Sequence, residues 1–269
     1  MNILNKIPCT VGILTLNSGK TLEKCLFSVK DFAEIIVLDG NSTDDTREIA
    51  ERFGARVVSQ EGATEPNHRI TDFSRVHNQL LSLATEPWYF DLDSDEYISD
   101  ELREEIRGVV IKNEKIAYSI SRLAIINGKI IRHAFFYPDR YTRLYPSNVG
   151  ISFHPKKMVH EKLVLPPDFC VRDLVSPIYT PWPTLKDSFV KDDQYLGIVY
   201  KKSTLQGKRI RKKLLISVVV NILKAGHIFI MAVGIHMRYG MKDVLPPLFS
   251  WRFVRYHLLI AKFKFQQLF

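Results

Sequence analysis

A dense run of acids is the feature of this sequence with the clearest chemical potential. Four of the six residues in "DLDSDE" are acidic, namely Asp91, Asp93, Asp95 and Glu96, and they follow the apolar run 88–90. That run predicts a buried strand, and if the strand continues past residue 91, the alternate aspartates face one side. Carboxylates so close together repel one another unless a cation lies between them. The run is therefore either a solvated turn or the seat of a divalent cation.

The spacing of these acids narrows the kind of cation site. An EF-hand counted from Asp91 needs glycine at its sixth position and glutamate at its twelfth, where this chain has Glu96 and Leu102. A site in which one or two carboxylates hold Mg²⁺ or Mn²⁺ against the phosphates of a substrate fits the pattern better. The alternative is structural, because acids also favour the N-terminus of a following helix.

Two further polar clusters follow predicted strands. Thr15 and Asn17 lie at the end of the β-rich run 9–16, and Asp39 ends the buried run 34–39. Ligands of parallel α/β sheets bind beyond the carboxyl ends of the strands, so the polar clusters are expected to meet there. Asp39 either accepts hydrogen bonds from a base or ribose, or only caps a turn. The sequence contains neither GxGxxG nor GxxxxGK(S/T), which excludes a standard dinucleotide fold and a P-loop enzyme.

Strand-like and helix-like segments alternate through the first hundred residues. Strands are predicted at 9–16, 34–39, 55–59 and 88–93, and helices at 18–30, 42–54, 71–84 and 99–112. Strands separated by helices of this length predict an α/β fold with a mainly parallel central sheet. Shorter β-like pieces follow residue 113, and a basic, apolar, helical region begins near residue 185.

Four motifs occur together, in the order "TLNSGKTLEKCLFSV", "EIIVLDGNSTDDTREIAERFGARVV", "HNQLLSLATEPW" and "LDSDE". In this combination and spacing the chain resembles family 2 glycosyltransferases, inverting enzymes with a GT-A fold, over roughly residues 9–100. The resemblance implies a nucleotide-sugar donor and a divalent cation, Mg²⁺ or Mn²⁺. The sequence departs from the usual L-D-A-D-E form, since Ser94 replaces the alanine and Asp91 is an additional acid.

The resemblance also implies roles for individual residues. The expected nucleotide-sugar-binding residues are Thr15, Asn17, Asp39, Arg75, Asn78 and Asp93. The first three would line the base and ribose, and Asp93 would approach the ribose or diphosphate. Asp95 would hold the cation against the diphosphate. Arg75 and Asn78, with the neighbouring His77, would contact the donor phosphates, although an ordinary helix surface explains these residues equally well.

A weaker resemblance continues beyond residue 113. "GKIIRHAFFYPDRYTRLYP" and "MVHEKL" look like boxes of a bacterial subgroup that includes lipopolysaccharide-core β-glucosyltransferases. This resemblance implies a glycolipid or oligosaccharide acceptor, and it implies that Glu161 is the base that takes the proton of the acceptor hydroxyl. His160 would orient Glu161 or touch substrate. Arg143 would either contact an anionic acceptor or have only a structural role. Glu96 would not touch substrate and would instead support the residues that do.

Charge is unevenly distributed along the chain, whose formal net charge is +9. From residue 200 onward fourteen Lys and Arg residues face a single acid, Asp243, so this region carries +13 while residues 1–199 carry −4. Such an asymmetry predicts an anionic partner for the C-terminal region. The region is too apolar for a solvated nucleic-acid arm, so we expect an anionic membrane surface and no nucleic acid.

The apolar stretch 214–235, "LLISVVVNILKAGHIFIMAVGI", is long enough to cross a bilayer, for which about 20 apolar residues are needed. Ser217, Asn221, Lys224 and His227 nevertheless fall on one stripe at helical spacing. A central lysine in hydrocarbon costs roughly 2.5–3.5 kcal/mol on insertion scales. The pattern therefore favours a helix that lies in the membrane interface or packs on the preceding domain.

These observations predict the organisation of the protein and its location. A catalytic domain is expected over 1–184, with a nucleotide-binding part (1–112) and an acceptor-side part (113–184), followed by a membrane-associating helical tail over 185–269. The three cysteines are far apart and form no CxxC pair, which argues against disulfides or zinc and fits a reducing compartment. The expected location is therefore the cytoplasmic side of a membrane, in peripheral or monotopic association.

Two other function classes remain open from the sequence. One is a non-catalytic nucleotide-binding scaffold whose basic tail recruits partners to a membrane. The other is a GT-A-like nucleotidyltransferase, which lacks support because the chain has no glycine-rich pyrophosphorylase loop near its N-terminus. Hydrolysis of a nucleotide-sugar by the purified protein separates an enzyme from a scaffold.

Overall fold

The computed structural model describes residues 6–70, 72–112, 115–154, 163–201 and 208–268. The chain divides into two compact units. The first unit comprises Met1–Leu123 and Pro138–Thr180, and the second comprises Ala124–Tyr137 and Pro181–Phe269. The predicted division at residue 184 remains a prediction, and the structure adds that residues 124–137 group with the C-terminal helices.

Strands and helices alternate through the N-terminal part of the first unit, as the sequence predicted. The elements are β1 (Ile7–Thr15), α1 (Gly19–Ser28), β2 (Phe32–Asp39), α2 (Thr46–Arg52), β3 (Arg56–Ser59), α3 (Phe73–Ser82) and β4 (Trp88–Asp91). β1 and β4 consist almost wholly of buried residues, which is typical of strands covered on both faces of a parallel sheet. The mixed α/β architecture is therefore confirmed.

α4 and the remaining strands follow; most of these strands are short, β6 continues into the second unit, and β7 belongs to the second unit. They are β5 (Tyr97–Ile98), α4 (Asp100–Val110), β6 (Ile116–Ile126), β7 (Lys129–Ile130), β8 (Arg140–Pro146), β9 (Ser152–Phe153), β10 (Leu163–Val164), β11 (Cys170–Asp173) and β12 (Ile178–Pro181). β7 pairs with the part of β6 that belongs to the second unit. α4 begins as predicted, since the Ser99 side chain accepts a hydrogen bond from the Leu102 amide and Asp100 and Glu101 occupy the first turn.

The strand order of the central sheet places a crevice beside β1. The order begins β3-β2-β1-β4-β8-β6, and the first four strands run parallel. β8 is antiparallel to both β4 and β6. The chain winds outward from β1 through β2 to β3 and then returns to the other side of β1 to form β4. Strand order therefore reverses between β1 and β4, which is where open α/β sheets bind their ligands.

One sequence expectation about the acidic run is wrong. β4 ends at Asp91 rather than continuing to residue 93, and the next residues form a turn before β5. Asp93 and Asp95 are therefore not alternate residues of a strand. β4 ends where its pairing with β1 ends, since the last β1 residue paired with β4 is Gly12, opposite Asp91, although β1 itself continues to Thr15 beside β2.

Gly12 is the glycine on which the packing of β1 depends most. A β-carbon at Gly12 would lie 2.0 Å from Oη of Tyr89, whose side chain is fully buried. Gly12→Ala is expected to lower the free energy of unfolding by about 1–3 kcal/mol or more, because the added methyl group would overlap the buried Tyr89 side chain and force it to shift. Urea denaturation measures this loss.

Gly108 provides the matched control for that substitution. It lies within α4, and a β-carbon there meets nothing within 4 Å. Gly108→Ala should stabilise the protein by about 0.5–1 kcal/mol, since glycine is the weaker helix former. Equal urea midpoints for the two variants would show that the contact between Gly12 and Tyr89 is not a close one.

Three helices dominate the second unit. They are α5 (Leu185–Lys201), α6 (Lys208–Tyr239) and α7 (Pro247–Gln266). α6 packs on α7 through Ala225, Ile228 and Val254. Within the described part of the chain, α6 is the helix whose length and composition would allow it to cross a membrane, over Arg211–Tyr239. Most of the apolar side chains of α6 are exposed, and Leu223 and Ile230 are 66% and 69% accessible.

The polar stripe predicted on this helix is divided between two roles. The Asn221 side chain donates a hydrogen bond to the Ser217 carbonyl at 2.8 Å, and its oxygen accepts one from Nδ1 of His257 in α7 at 2.9 Å. Lys224 and His227 are exposed. The N-terminal half of the stripe, Ser217 and Asn221, therefore joins α6 to α7 through Asn221. Only its C-terminal half, Lys224 and His227, faces outward.

Candidate active site

The loops that follow β1 and β4 meet at the point where strand order reverses. The hydroxyl oxygens of Ser18 and Ser94 lie 2.9 Å apart. Ser94 is the residue that departs from the usual alanine of the resembled motif, so this contact explains the departure. The structure thus brings the polar cluster after β1 next to the acidic run after β4, as the topology of a parallel sheet requires.

Asp39 holds the loops after β1 and β2 together. Its carboxylate is fully buried and accepts hydrogen bonds from Thr15 Oγ1 at 2.9 Å, from Ser42 Oγ at 2.6 Å and from the Ser42 amide at 2.9 Å. The Arg47 guanidinium lies 3.5 Å from Oδ2 of the same carboxylate. Thr15 and Asp39, both predicted to line the base and ribose, are therefore adjacent, and in this structure their polar atoms bond to each other and to the loop.

Asparagines form the exposed rim of the same region. Asn17, Asn41 and Asn67 all have positive φ, at 52°, 62° and 58°, a conformation that asparagine tolerates better than most residues. The Asn17 side chain donates to Asn67 Oδ1 at 2.7 Å and accepts from the Thr43 amide at 2.9 Å. Asn17 thus lies beside Asp39 as predicted, whereas Asn67 was missed because it lies in a loop without a motif.

A buried arginine neutralises most of the acidic run. Arg143 of β8 is 8% exposed, and its guanidinium lies 3.3 Å from Asp91, 3.0 Å from Asp93 and 3.7 Å from Glu96. These carboxylates raise the pKa of Arg143 well above its usual value although burial acts against it. The sequence left two roles open for Arg143, contact with an anionic acceptor and a structural role, and these ion pairs favour the structural role of supporting the acids.

Arg122 of β6 is a second support that sequence reasoning missed. It forms ion pairs with Asp139 at 2.9 Å and with Glu96 at 3.3 Å. Burial, followed by the charge of Asp93, raises the pKa of Glu96 to about 7, and the two arginines only partly offset this effect. For Asp93 the balance is reversed: burial opposes ionisation, but Arg143 and Arg122 outweigh it and lower the pKa. An arginine within the apolar strand "AYSISRLAII" was the available signal.

The three neighbouring candidates on α3 face different surroundings. Arg75 pairs with Glu61 at 2.8 Å, and both side chains are exposed. The Asn78 side chain donates a hydrogen bond to the backbone carbonyl of Phe153 at 3.0 Å and accepts one from the backbone amide of Phe153 at 2.7 Å. Asn78 therefore holds β9 in place. His77 is buried, with Nδ1 3.6 Å from Asp91. Donor binding by Arg75 and Asn78 stays a prediction, and their contacts here favour structural roles.

Asp95 differs from the other acids in being exposed. It lies in the turn between β4 and β5, while Asp91, Asp93 and Glu96 are engaged by arginine. Among the described residues no cluster of three or more His, Cys, Asp or Glu side chains could enclose a metal. The exposed carboxylate of Asp95, next to the partly accessible carboxylate of Asp93, fits a Mg²⁺ or Mn²⁺ ion that completes its coordination with substrate phosphates and water. The residues present therefore fit a cation shared with a diphosphate.

The arginine support makes a prediction about stability. Arg143→Met should lower the free energy of unfolding by about 3–5 kcal/mol, because it leaves buried carboxylates without a compensating charge. Thermal and urea denaturation at neutral pH measure the loss. The matched control is Arg140→Met on the same strand, which loses a partly exposed ion pair with Asp173 at 3.4 Å and hydrogen bonds to the Ser119 and Leu174 carbonyls, and which should cost about 1–2 kcal/mol. Equal losses for both variants would refute the supporting role of Arg143.

Glu161, the predicted base, and His160 lie outside the described residues. Their assignments stay predictions from sequence. The nearest described residue before them is His154, which is exposed, and the nearest after them is Leu163 at the start of β10.

The reversed strand order and the polar loops at the carboxyl ends of the strands are typical of the GT-A fold. The profile described as Glycosyl transferase family 2 matches residues 10–164, which is more than half of the chain. The chain belongs to this family of glycosyltransferases.

Individual relatives agree with that assignment. The SPbeta prophage-derived glycosyltransferase SunS of Bacillus subtilis is 32% identical over 155 residues, which make up 57% of this chain and 34% of SunS. The chain thus spans about a third of the length of that relative. An uncharacterized glycosyltransferase of Rickettsia bellii is 30% identical over 211 residues, which make up 73% of this chain and 68% of that protein.

Two solved structures are similar over parts of the fold. Glucosyl-3-phosphoglycerate synthase from Mycobacterium tuberculosis, in complex with Mn²⁺, UDP and glucosyl-3-phosphoglycerate, is 27% identical over 44% of each chain, with a TM-score of 0.35. TarS of S. aureus, in complex with UDP, is 14% identical over 96% of this chain and 91% of that one, with a TM-score of 0.47. The resemblance to the lipopolysaccharide-core subgroup stays a prediction.

Proposed function

We propose that this protein transfers a sugar from a nucleoside-diphosphate donor to a lipid-linked acceptor, and that it does so with inversion at the anomeric carbon. The observation that carries the proposal is the convergence of three loops, after β1, β2 and β4, on one crevice of the sheet. That crevice combines an asparagine-rich rim with an exposed aspartate held beside arginine-supported acids. Membership of family 2 supports the class of reaction.

Each group of residues has a separate task in this proposal. Thr15, Asn17 and Asp39 shape the side of the crevice that receives the base and ribose. Arg143 fixes Asp93 toward the ribose or diphosphate, and Asp95 faces the diphosphate. Asp95 would hold a divalent cation, Mg²⁺ or Mn²⁺, which would supply charge neutralisation for the leaving diphosphate when bound.

Glu161 acts as the base that removes the proton of the acceptor hydroxyl. As the acceptor oxygen bonds to the anomeric carbon, the bond from that carbon to the diphosphate breaks and Glu161 takes the hydroxyl proton. A single displacement of this kind inverts the configuration, so an α-linked donor gives a β-linked product. Glu96 is unsuited to this role because it is fully buried between Arg122 and Arg143.

The C-terminal helices support an acceptor that resides in a membrane. α6 exposes an apolar surface along most of its length and begins with the basic run "KRIRKK". A helix with exposed apolar residues and flanking cations suits the interface of an anionic membrane. We therefore propose a location on the cytoplasmic side of a membrane and a glycolipid acceptor, of which a lipopolysaccharide-core saccharide is one form.

The reaction is tested by presenting purified full-length protein with UDP-, GDP- and ADP-sugars and a bacterial lipid extract, with Mn²⁺ or with a chelator. We expect release of nucleoside diphosphate from one donor and label transfer to the lipid fraction. A thermal-shift screen of the diphosphates identifies the donor first, since a specific ligand stabilises the fold by mass action. Donor binding without turnover on any extract would instead support a scaffold.

Membrane attachment makes a separate prediction. Lys212 and Lys213 begin the apolar part of α6 and are exposed. Since each such charge contributes about 1 kcal/mol near an anionic leaflet, replacing both with glutamine should weaken binding to phosphatidylserine vesicles by roughly 30-fold at low salt. High salt should reduce this difference, because surface charges are screened. Vesicle sedimentation provides the measurement.

The matched control replaces two exposed lysines of the first unit, Lys20 and Lys112, with glutamine. This change alters the net charge of the protein equally but should leave vesicle binding nearly unchanged. If the unaltered protein ignores anionic vesicles at low salt, the membrane proposal fails while the donor chemistry remains unaffected.

A further inference from the structure

The proposed chemistry gives no task to Tyr141, an exposed tyrosine of β8 that lies close to the acidic run. β8 is antiparallel to β4 and its Leu144 pairs with Phe90, so the residues of β8 that precede Leu144 lead past the carboxyl end of β4. Tyr141 is 46% accessible, whereas Arg143, Leu144 and Tyr145 are buried. Tyr141 therefore lies at the crevice end of its strand, with much of its side chain open to solvent.

Arg122 holds the ring of Tyr141 in one position. Its guanidinium carbon lies 4.2 Å from the ring centroid, which is a cation–π contact. Arg122 is itself fixed, since Nε and Nη2 donate hydrogen bonds to Asp139 Oδ2 at 3.1 and 2.9 Å. Burial raises the pKa of the Tyr141 hydroxyl, Arg122 opposes that rise and Asp139 adds to it, so the hydroxyl is protonated at neutral pH. A neutral ring that is already fixed loses little freedom when a ligand packs on it.

The same arginine connects this ring to the acids of the crevice. Nη1 of Arg122 lies 3.9 Å from Asp93 Oδ2, the oxygen that Nη2 of Arg143 contacts at 3.0 Å. The guanidinium carbon of Arg143 is 5.7 Å from the centroid of the Tyr141 ring. The ring is therefore separated by a single guanidinium from the carboxylate that the proposed function directs toward the ribose or diphosphate.

The order of the strands indicates which part of a donor would meet this ring. Thr15 and Asp39, which shape the proposed base and ribose side, end β1 and β2, and the acids proposed for the diphosphate end or follow β4. β8 comes next, on the side of β4 away from β1. In a nucleotide-sugar the sugar likewise follows the diphosphate on the side away from the base. A donor laid across the strand ends in this order brings its sugar to β8, where Tyr141 is exposed.

We propose that the ring of Tyr141 contacts the sugar that is transferred and thereby contributes to the choice of donor. A pyranose presents C–H groups on its faces, and such an apolar face packs on an aromatic ring while the sugar hydroxyls remain available to polar groups. Arg122 acts through Tyr141 as a positioning residue. The inference rests on the proposed function for the class of donor, and it deepens that function by giving the sugar a contact on this chain.

Calorimetric titration of the full-length protein in the presence of Mn²⁺ tests the contact as a ratio of two affinities. The ligands are UDP-glucose and UDP, GDP-mannose and GDP, and ADP-glucose and ADP. Tyr141→Ala should weaken binding of the nucleotide-sugar by roughly fivefold or more relative to its diphosphate, because it removes apolar contacts with the sugar alone. Tyr141→Phe keeps the ring and should keep the ratio of the unaltered protein.

Tyr195→Ala is the matched control. Tyr195 lies on α5 in the second unit and is 52% accessible, so it is about as exposed as Tyr141. Its removal should change neither affinity. A direct readout comes from NMR with Mg²⁺ in place of Mn²⁺: nuclear Overhauser effects between tyrosine ring protons and the C–H protons of the bound sugar should appear in the unaltered and Tyr195→Ala proteins and disappear in Tyr141→Ala.

Two outcomes of these titrations would overturn the proposal. Equal losses of affinity for the nucleotide-sugar and the diphosphate in Tyr141→Ala would show that the ring only supports Arg122 and Asp93. An unchanged ratio together with a raised KM for the acceptor would place the ring against the acceptor instead of the transferred sugar.

Transfer assays separate this inference from the proposed function. A lowered ratio in Tyr141→Ala without transfer to any lipid by the unaltered protein would refute the proposed function while leaving the sugar contact intact. Transfer to lipid by Tyr141→Ala with an unchanged KM for the donor and an unchanged ratio would overturn the sugar contact while leaving the proposed function intact.

Discussion

Asp95→Asn is expected to abolish cation-dependent binding of the donor diphosphate and to reduce turnover by roughly 10³-fold or more. A bound cation contributes several kcal/mol of charge stabilisation, and asparagine provides neither the charge nor the second oxygen that holds it. Asp95 is exposed and lies at a turn, so the substitution should leave the fold intact. Calorimetric titration with UDP, GDP or ADP, with and without Mn²⁺, measures the loss independently of activity.

Asp100→Asn is the control for that experiment. Asp100 lies five residues further along the chain, is exposed and pairs with Arg103 at 3.0 Å on the surface of α4. It should bind diphosphate and Mn²⁺ like the unaltered protein. If Asp95→Asn keeps its Mn²⁺-dependent affinity, the acidic run is a structural turn held by arginines, and the cation proposal is wrong.

Glu161→Gln is expected to reduce turnover by roughly 10²–10⁴-fold while changing donor affinity little, because glutamine keeps the shape of the side chain but cannot take a proton. The measurement is the rate of transfer at saturating donor, beside a binding titration of the same variant. Glu104→Gln, on the exposed surface of α4, controls for loss of a surface carboxylate. Normal turnover by Glu161→Gln would assign the base to another carboxylate.

Sequence alone could predict the framework of the site because the framework follows from periodicity and topology. β1, β2 and β4 are apolar runs that end in polar residues, and parallel strands bring such ends to one edge of a sheet. Thr15, Asn17 and Asp39 could therefore be placed together: Thr15 donates a hydrogen bond to Asp39, and the Asn17 amide donates one to Ser42 Oγ, which itself donates to Asp39. Ser99 at the start of α4 could be recognised from its capping chemistry.

The partners of the acidic run could not be predicted in this way. Arg122 and Arg143 come from β6 and β8, strands far along the chain that join the sheet in antiparallel orientation. The local sequence does not show which strands pair in this way, and the available signal, an arginine in an apolar strand, is equally compatible with a solvent-facing position. The end of β4 at Asp91 was missed for a related reason, since it depends on where pairing with β1 stops.

In the second unit, helical periodicity predicted which residues of α6 are polar but not what they contact. The stripe of polar residues on α6 was visible in the sequence, but the partner of Asn221 was not, because His257 lies on a different helix. The grouping of residues 124–137 with α5, α6 and α7 likewise depends on tertiary packing, of which Phe135 against Phe253 is one contact.

The most direct test of the central claim is a crystal of the protein grown with Mn²⁺ and the nucleoside diphosphate that stabilises it best, measured at a wavelength where manganese scatters anomalously. The account predicts one strong anomalous peak in contact with the Asp95 carboxylate and the diphosphate, with the base between Asn17 and Asp39. A diphosphate bound elsewhere, or bound in this crevice with the manganese peak away from Asp95, would contradict it.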